Sequence, residues 1–103
     1  MATTFKGLAQ GALSSTLTVT LYTTPAATTT ELTSVTLCNT NTTTARNVTL
    51  DVNSRKVLAA RPLAPGETLV IRPGIGMATG VLIRGGQDTG TDVEYTLSGV
   101  EFT

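Results

Sequence analysis

The sequence predicts an all-β chain: an antiparallel β-sandwich, jelly-roll-like, with seven or eight short strands and essentially no helix. Three observations lead there. No stretch of ten or more residues carries an apolar stripe at the helical period of 3.6, whereas period-two alternation recurs along the chain between turn signals. Threonine supplies 23 of 103 residues, 17 of them in the first fifty, and its β-branched side chain loses less freedom in a strand than in a helix. Glycine and proline clusters separate the alternating runs.

The elements follow in order. Residues 1–15 are small and glycine-spaced, with Phe5, Leu8 and Leu13 as the large apolar side chains, and read as an N-terminal arm or a loosely held first strand. Residues 16–103 read as a single sandwich domain, which suits a length that allows one core. From Thr16 to Tyr22, Leu17, Val19 and Leu21 alternate with Thr16, Thr18 and Thr20, the pattern of a half-buried strand with its apolar set inward. Pro25 interrupts it. Between Glu31 and Asn39, Thr33, Val35 and Leu37 share one face and Leu32, Ser34, Thr36 and Cys38 the other. Asn39–Thr44 is a polar turn, and Ala45–Val52 places Val48, Leu50 and Val52 inward. Val57–Ala60 is short and apolar, and Pro65-Gly66 suits a tight bend. Thr68–Arg72 and Val81–Arg84 read as strands, with a glycine-punctuated loop from Gly74 to Gly80 between them and another loop from Gly85 to Asp92. The last strand, Val93–Thr103, alternates until Ser98-Gly99, where a bulge is expected to shift the phase so that Val100 and Phe102 face the core.

Composition narrows function more than any motif does. Seven basic side chains balance seven acidic ones, and aromatic residues make up 4%, so neither a phosphate-binding stripe nor a base-stacking platform is in evidence, and no nucleic-acid partner is expected. No apolar run approaches a membrane span or a signal-peptide core, so neither a membrane partner nor secretion is expected. Histidine is absent, and the single Cys38 has no activating base, which favours a buried structural thiol. No enzyme activity, cofactor or metal is expected. Asp88, Asp92 and Glu94 are the one acidic group close in sequence; their spacing fits no calcium loop, and a solvated turn is the simpler reading. Arg46, Arg55, Lys56 and Arg61 form a loose basic group suited to solvent or to a protein contact. The glycines from Gly74 to Gly80 lack phosphate-loop spacing, and the acceptor patterns at Asn41 and Asn47 arise readily in a threonine-rich chain.

The most unusual feature is what the first strands lack. Over residues 1–45 only Lys6 and Glu31 are charged, although free sheet edges are normally guarded by charge, proline or bulges. Such strands are expected either to be covered by a partner or to self-associate. The contact residues expected from this are Phe5, Leu8 and Leu13 in the arm and Thr16, Thr18 and Thr20 on the first strand face.

The run LYTTPAATTTELTSVTLCNT (Leu21–Thr40), the strand Asn47–Val52, LAPGETLVI (Leu63–Ile71) and the closing YTLSGVEFT (Tyr95–Thr103) resemble small β-sandwich structural proteins of tailed bacteriophages. The resemblance covers residues 16–103. It implies a virion component made in the host cytoplasm, foremost a head decoration or cement protein bound to the major capsid protein and to copies of itself as a trimer or other cyclic oligomer. A tail, baseplate or fibre-base module is the alternative it leaves open. A carbohydrate-binding or adhesin-like sandwich is a further one, for which Phe5, Tyr22, Tyr95 and Phe102 are the available aromatics.

Overall fold

The computed structural model describes residues 2–103. Nine strands follow in order: β1 (Thr3–Ala12), β2 (Val19–Thr23), β3 (Thr29–Asn39), β4 (Arg46–Val52), β5 (Arg55–Leu63), β6 (Thr68–Ile71), β7 (Ile75–Met77), β8 (Leu82–Gln87) and β9 (Val93–Phe102). The described residues contain no helix. One sheet has the order β1-β9-β3-β6, with β7 also on β3, and the other β2-β8-β4-β5, every pair antiparallel. Apart from the β4–β5 hairpin, successive strand positions alternate between the sheets, and β6 and β7 lie end to end along β3 as one interrupted strand. This is the eight-position double Greek key of a jelly roll. Leu13, Leu32, Val35, Leu37, Val48, Leu50, Leu63, Ile83, Val93 and Leu97 are fully buried between the layers.

Several turns have the chemistry their residues dictate. Asn53 and Ser54, both at positive φ, make the two-residue turn joining β4 to β5, the conformation that matches the twist of paired strands. Pro65 and Gly66 occupy the centre of a turn closed by the Glu67 N–H on the Ala64 carbonyl, with Gly66 at φ 73°. Asn39, wholly buried at the end of β3, donates to the carbonyls of Thr44, Leu63 and Ala64 and accepts from the Asn41 N–H, so one amide fastens three segments.

A line of irregularity crosses the first sheet at the level of Ser98 and Gly99. The extra residue expected in β9 is found in its neighbours: Leu8 in β1 and Thr33 in β3 are bulged, and the β6–β7 strand breaks over residues 72–74. β9 keeps its period of two. Val100 therefore stays on the outer face, outside the core cluster, and Glu101 points inward instead. The Thr33 bulge also corrects the reading of β3, since Leu32 joins Val35 and Leu37 in the core across the extra residue.

Other expectations change as well. The segment Thr16–Tyr22 is a strand only from Val19, and Leu17 and Val19 are 41% and 38% exposed. Ser14–Thr18 instead drapes over the end of β8: Ser14 accepts from the Gln87 N–H, and the Thr16 carbonyl crosses so close to Gly86 that no Cβ fits there. Gly85–Gln87, expected as loop, belongs to β8 for the same reason of close approach, because a Cβ on Gly85 would lie 2.8 Å from the Thr49 carbonyl. Ile75–Met77, expected as loop, is a strand on β3. Arg55–Leu63 is continuous, its Pro62 tolerated because β5 is an edge. Cys38 is half-buried rather than buried, being on the face of β3 opposite Val35 and Leu37.

Candidate functional site

The two sheets leave two open flanks, and these differ in kind. β1 and β2, the edge strands of opposite sheets, lie side by side along one flank; β5 lies beside β7 along the other, where Arg55, Lys56 and Val57 face Ile75 and Gly76 across a groove of about 460 Å³. The stretch Arg55–Met77, which forms the second flank, holds five charged side chains and three prolines, the usual guards of a free edge. β1 and β2 contain no proline and a single charge, Lys6.

Lys6 guards the edge weakly, because its charge is paired within its own chain, although its side chain stays 45% exposed. Its Nζ is 3.2 Å from Glu101 Oε1, while Tyr22 of β2 donates its hydroxyl proton to Glu101 Oε2 at 2.6 Å and Thr30 is 3.0 Å from the same hydroxyl. The cluster ties β1, β9 and β3 of one sheet to β2 of the other. Burial and the adjacent carboxylate push Tyr22 up to about 12, and the Tyr22 hydrogen bond, with Lys6, holds Glu101 below its ordinary 4.5. A depressed carboxyl stabilises the fold above its unfolded value and stops doing so as acid protonates it in the folded chain; a raised phenol stabilises below 10 and stops as pH rises toward 12. Thermal midpoints are thus expected to be level between about pH 5 and 9 and to fall on both sides, with the alkaline fall reduced in Tyr22→Phe. An unchanged alkaline limb in that variant would remove Tyr22 from the account.

The open edge of β1 can be read residue by residue. Ala2 and Thr103 exchange both backbone hydrogen bonds, so in an antiparallel ladder Thr4 and Lys6 bond to β9, and the N–H and C=O groups of Thr3, Phe5 and Gly7 point away from it. Past the Leu8 bulge the Leu13 N–H bonds to the Val93 carbonyl, which leaves Gln10 and Ala12 facing outward. Phe5 is 80% exposed, the most exposed large apolar side chain among the described residues, and lies on the outer face of the sheet beside Val100.

The expected contact residues separate accordingly. Phe5, Thr16, Thr18 and Thr20 are exposed on or beside this flank. Leu8 is half-buried against the core, and Leu13 is fully buried, out of reach of any partner, because it follows β1 into the sandwich beneath Val93. Leu17 and Val19, whose alternation with threonine predicts an inward face, are instead left exposed on this flank.

No protein family and no curated protein matches the chain.

Most of the other charged side chains singled out in the sequence are paired within the fold. Asp92 accepts from Arg46 Nε at 2.8 Å and Asn41 Nδ2 at 3.0 Å, bonds that hold its carboxyl below the usual range, and Arg46 also donates to Thr89 at 2.6 Å. Asp88 accepts from the N–H groups of Asn47 and Thr89, and Glu94 stands on the outer face of β9, so the three acids do not converge on a common centre. The basic group is dispersed as well: Arg46 pairs with Asp92, Lys56 with Asp51 and Arg61 with Glu67, while Arg55 faces the groove. Among the described residues no buried side-chain polar atom lacks a partner.

Proposed function

We propose that this chain is a non-enzymatic structural protein of a tailed-phage virion: a head decoration protein that docks on the major capsid protein lattice as a symmetric oligomer. The observation that carries the reading is the inequality of the two flanks. A subunit used in many copies needs one surface that accepts protein and others that refuse it, and here the β1/β2 flank is open and carries the single charge Lys6, paired with Glu101, while the β5–β7 flank is charged and proline-guarded. The jelly-roll architecture is compatible with such a role without specifying it, since one fold hosts many functions. The threonine-rich composition fits a surface that stays hydrated without charge until it is covered.

Quantitative mass spectrometry of purified virions tests the proposal. The expected result is a copy number commensurate with that of the major capsid protein. A number far below it would move the protein to the tail or baseplate, and its absence from the particle would overturn the virion reading altogether.

A further inference from the structure

The geometry of the β1 edge points to a second copy of this chain as its occupant, paired antiparallel, β1 against β1, about a two-fold axis at Phe5. This deepens the assembly reading above and rests on it for its setting, but its evidence is the strand itself.

Three observations define the seam. First, Thr3, Phe5 and Gly7 present unpaired N–H and C=O groups along an edge with no proline, whose one charge, Lys6, is paired with Glu101. Second, the ladder is regular only up to the bulge at Leu8, so the usable segment is Thr3–Gly7, and its centre is Phe5. Third, the surface is electrically self-compatible: Lys6, the one charge on β1, is neutralised by Glu101 of its own chain, so a copy brings no like charge to the axis.

The register follows from these. Phe5 faces Phe5 of the copy as a hydrogen-bonded pair, and Thr3 faces Gly7, so each outward N–H gains a carbonyl and the first sheets of both subunits become one. The two phenyl rings, both on the outer face, come together and lose the exposure that each has alone. Of the other three edges, β5 and the β6–β7 edge carry charge and proline, and β2 is five residues long with its own bulge at Leu21. A five-residue ladder buries less than the roughly 800 Å² per partner typical of stable complexes, so the dimer should form reversibly in solution and be reinforced on a lattice.

Single-cysteine variants in a Cys38→Ser background test the register. Directly paired Cα atoms at such a site are roughly 5.5 Å apart, within disulfide reach, so Phe5→Cys should oxidise to a dimer of twice the 10.6 kDa chain. Thr4→Cys should not, because Thr4 faces Lys6 of the copy and its own counterpart lies beyond the roughly 7 Å limit. Phe5→Lys, at an exposed site, should keep the circular dichroism of the folded chain and lose the concentration-dependent doubling of mass. Equal crosslinking at both positions, or none at Phe5→Cys, would overturn the two-fold seam. If Phe5→Cys fails while the protein still enters virions, the seam falls and the virion reading stands; a specific Phe5 crosslink in a protein that never enters virions gives the reverse.

Discussion

Replacing Arg84 by alanine is expected to lower stability by about 3 kcal/mol, the low end of what removing one partner of a buried ion pair costs. Asp51 is 1% exposed, and Arg84 meets it with two hydrogen bonds, Nε to Oδ1 at 3.1 Å and a second to Oδ2 at 3.3 Å. Lys56, 3.8 Å away, offers partial relief, which is why the low end is expected. Without Arg84 the buried carboxylate keeps only the more distant Lys56 as an ionic partner. The paired replacement Asp51→Thr with Arg84→Val leaves no lone buried charge, since Lys56 is solvent-exposed, and should recover most of the loss. Urea unfolding of the single and paired variants measures both, and a loss under about 0.5 kcal/mol in the single variant, the size of an ordinary surface change, would contradict the account.

The second large effect is expected at Gly99, where alanine should cost about 2–3 kcal/mol. A Cβ there would run into the Glu31 carbonyl and stand 2.8 Å from Leu8 Cδ1, so backbone on one side and a bulged side chain on the other would both have to yield. Gly99 sits where β1 and β3 each carry an extra residue, and the crowding is a direct consequence of those bulges. Gly7, on the neighbouring strand, has nothing within 4 Å of its would-be Cβ, so Gly7→Ala should change the stability of the monomer by less than about 0.5 kcal/mol. Equal losses at both positions would contradict the close-contact account, because an unhindered glycine replaced by alanine should lose nothing to backbone entropy.

The sandwich was legible because alternation is a direct image of a two-layer fold. Val48, Leu50 and Val52 point inward as read, and the Pro65-Gly66 bend lies where its residues demand one. The misreadings share one physical cause, that local pattern does not reveal close approach between distant segments. Gly85 and Gly86 look like loop residues until the Thr49 and Thr16 carbonyls pass over them, and Ser98-Gly99 marks the level of a bulge without showing that the extra residues are in the strands on either side. Leu13 looks like a contact residue because it ends a small, glycine-spaced arm; the turn that carries it under Val93 depends on β9, some eighty residues later. The uncharged character of the early strands was visible in composition. Its concentration on one flank was not, because that requires knowing that β1 and β2 belong to different sheets and end up side by side.

The central claim is that the β1/β2 flank is the surface covered in the assembled particle. Co-sedimentation with purified phage heads tests it most directly, comparing the unaltered chain with Phe5→Lys/Leu17→Lys on that flank and Arg55→Ser/Arg72→Ser on the other. Burying new, unpaired charges should weaken binding roughly tenfold or more in the first variant and leave the second near the unaltered chain. Undiminished binding by the first variant, with loss in the second, would place the contact on the charged flank and contradict the account.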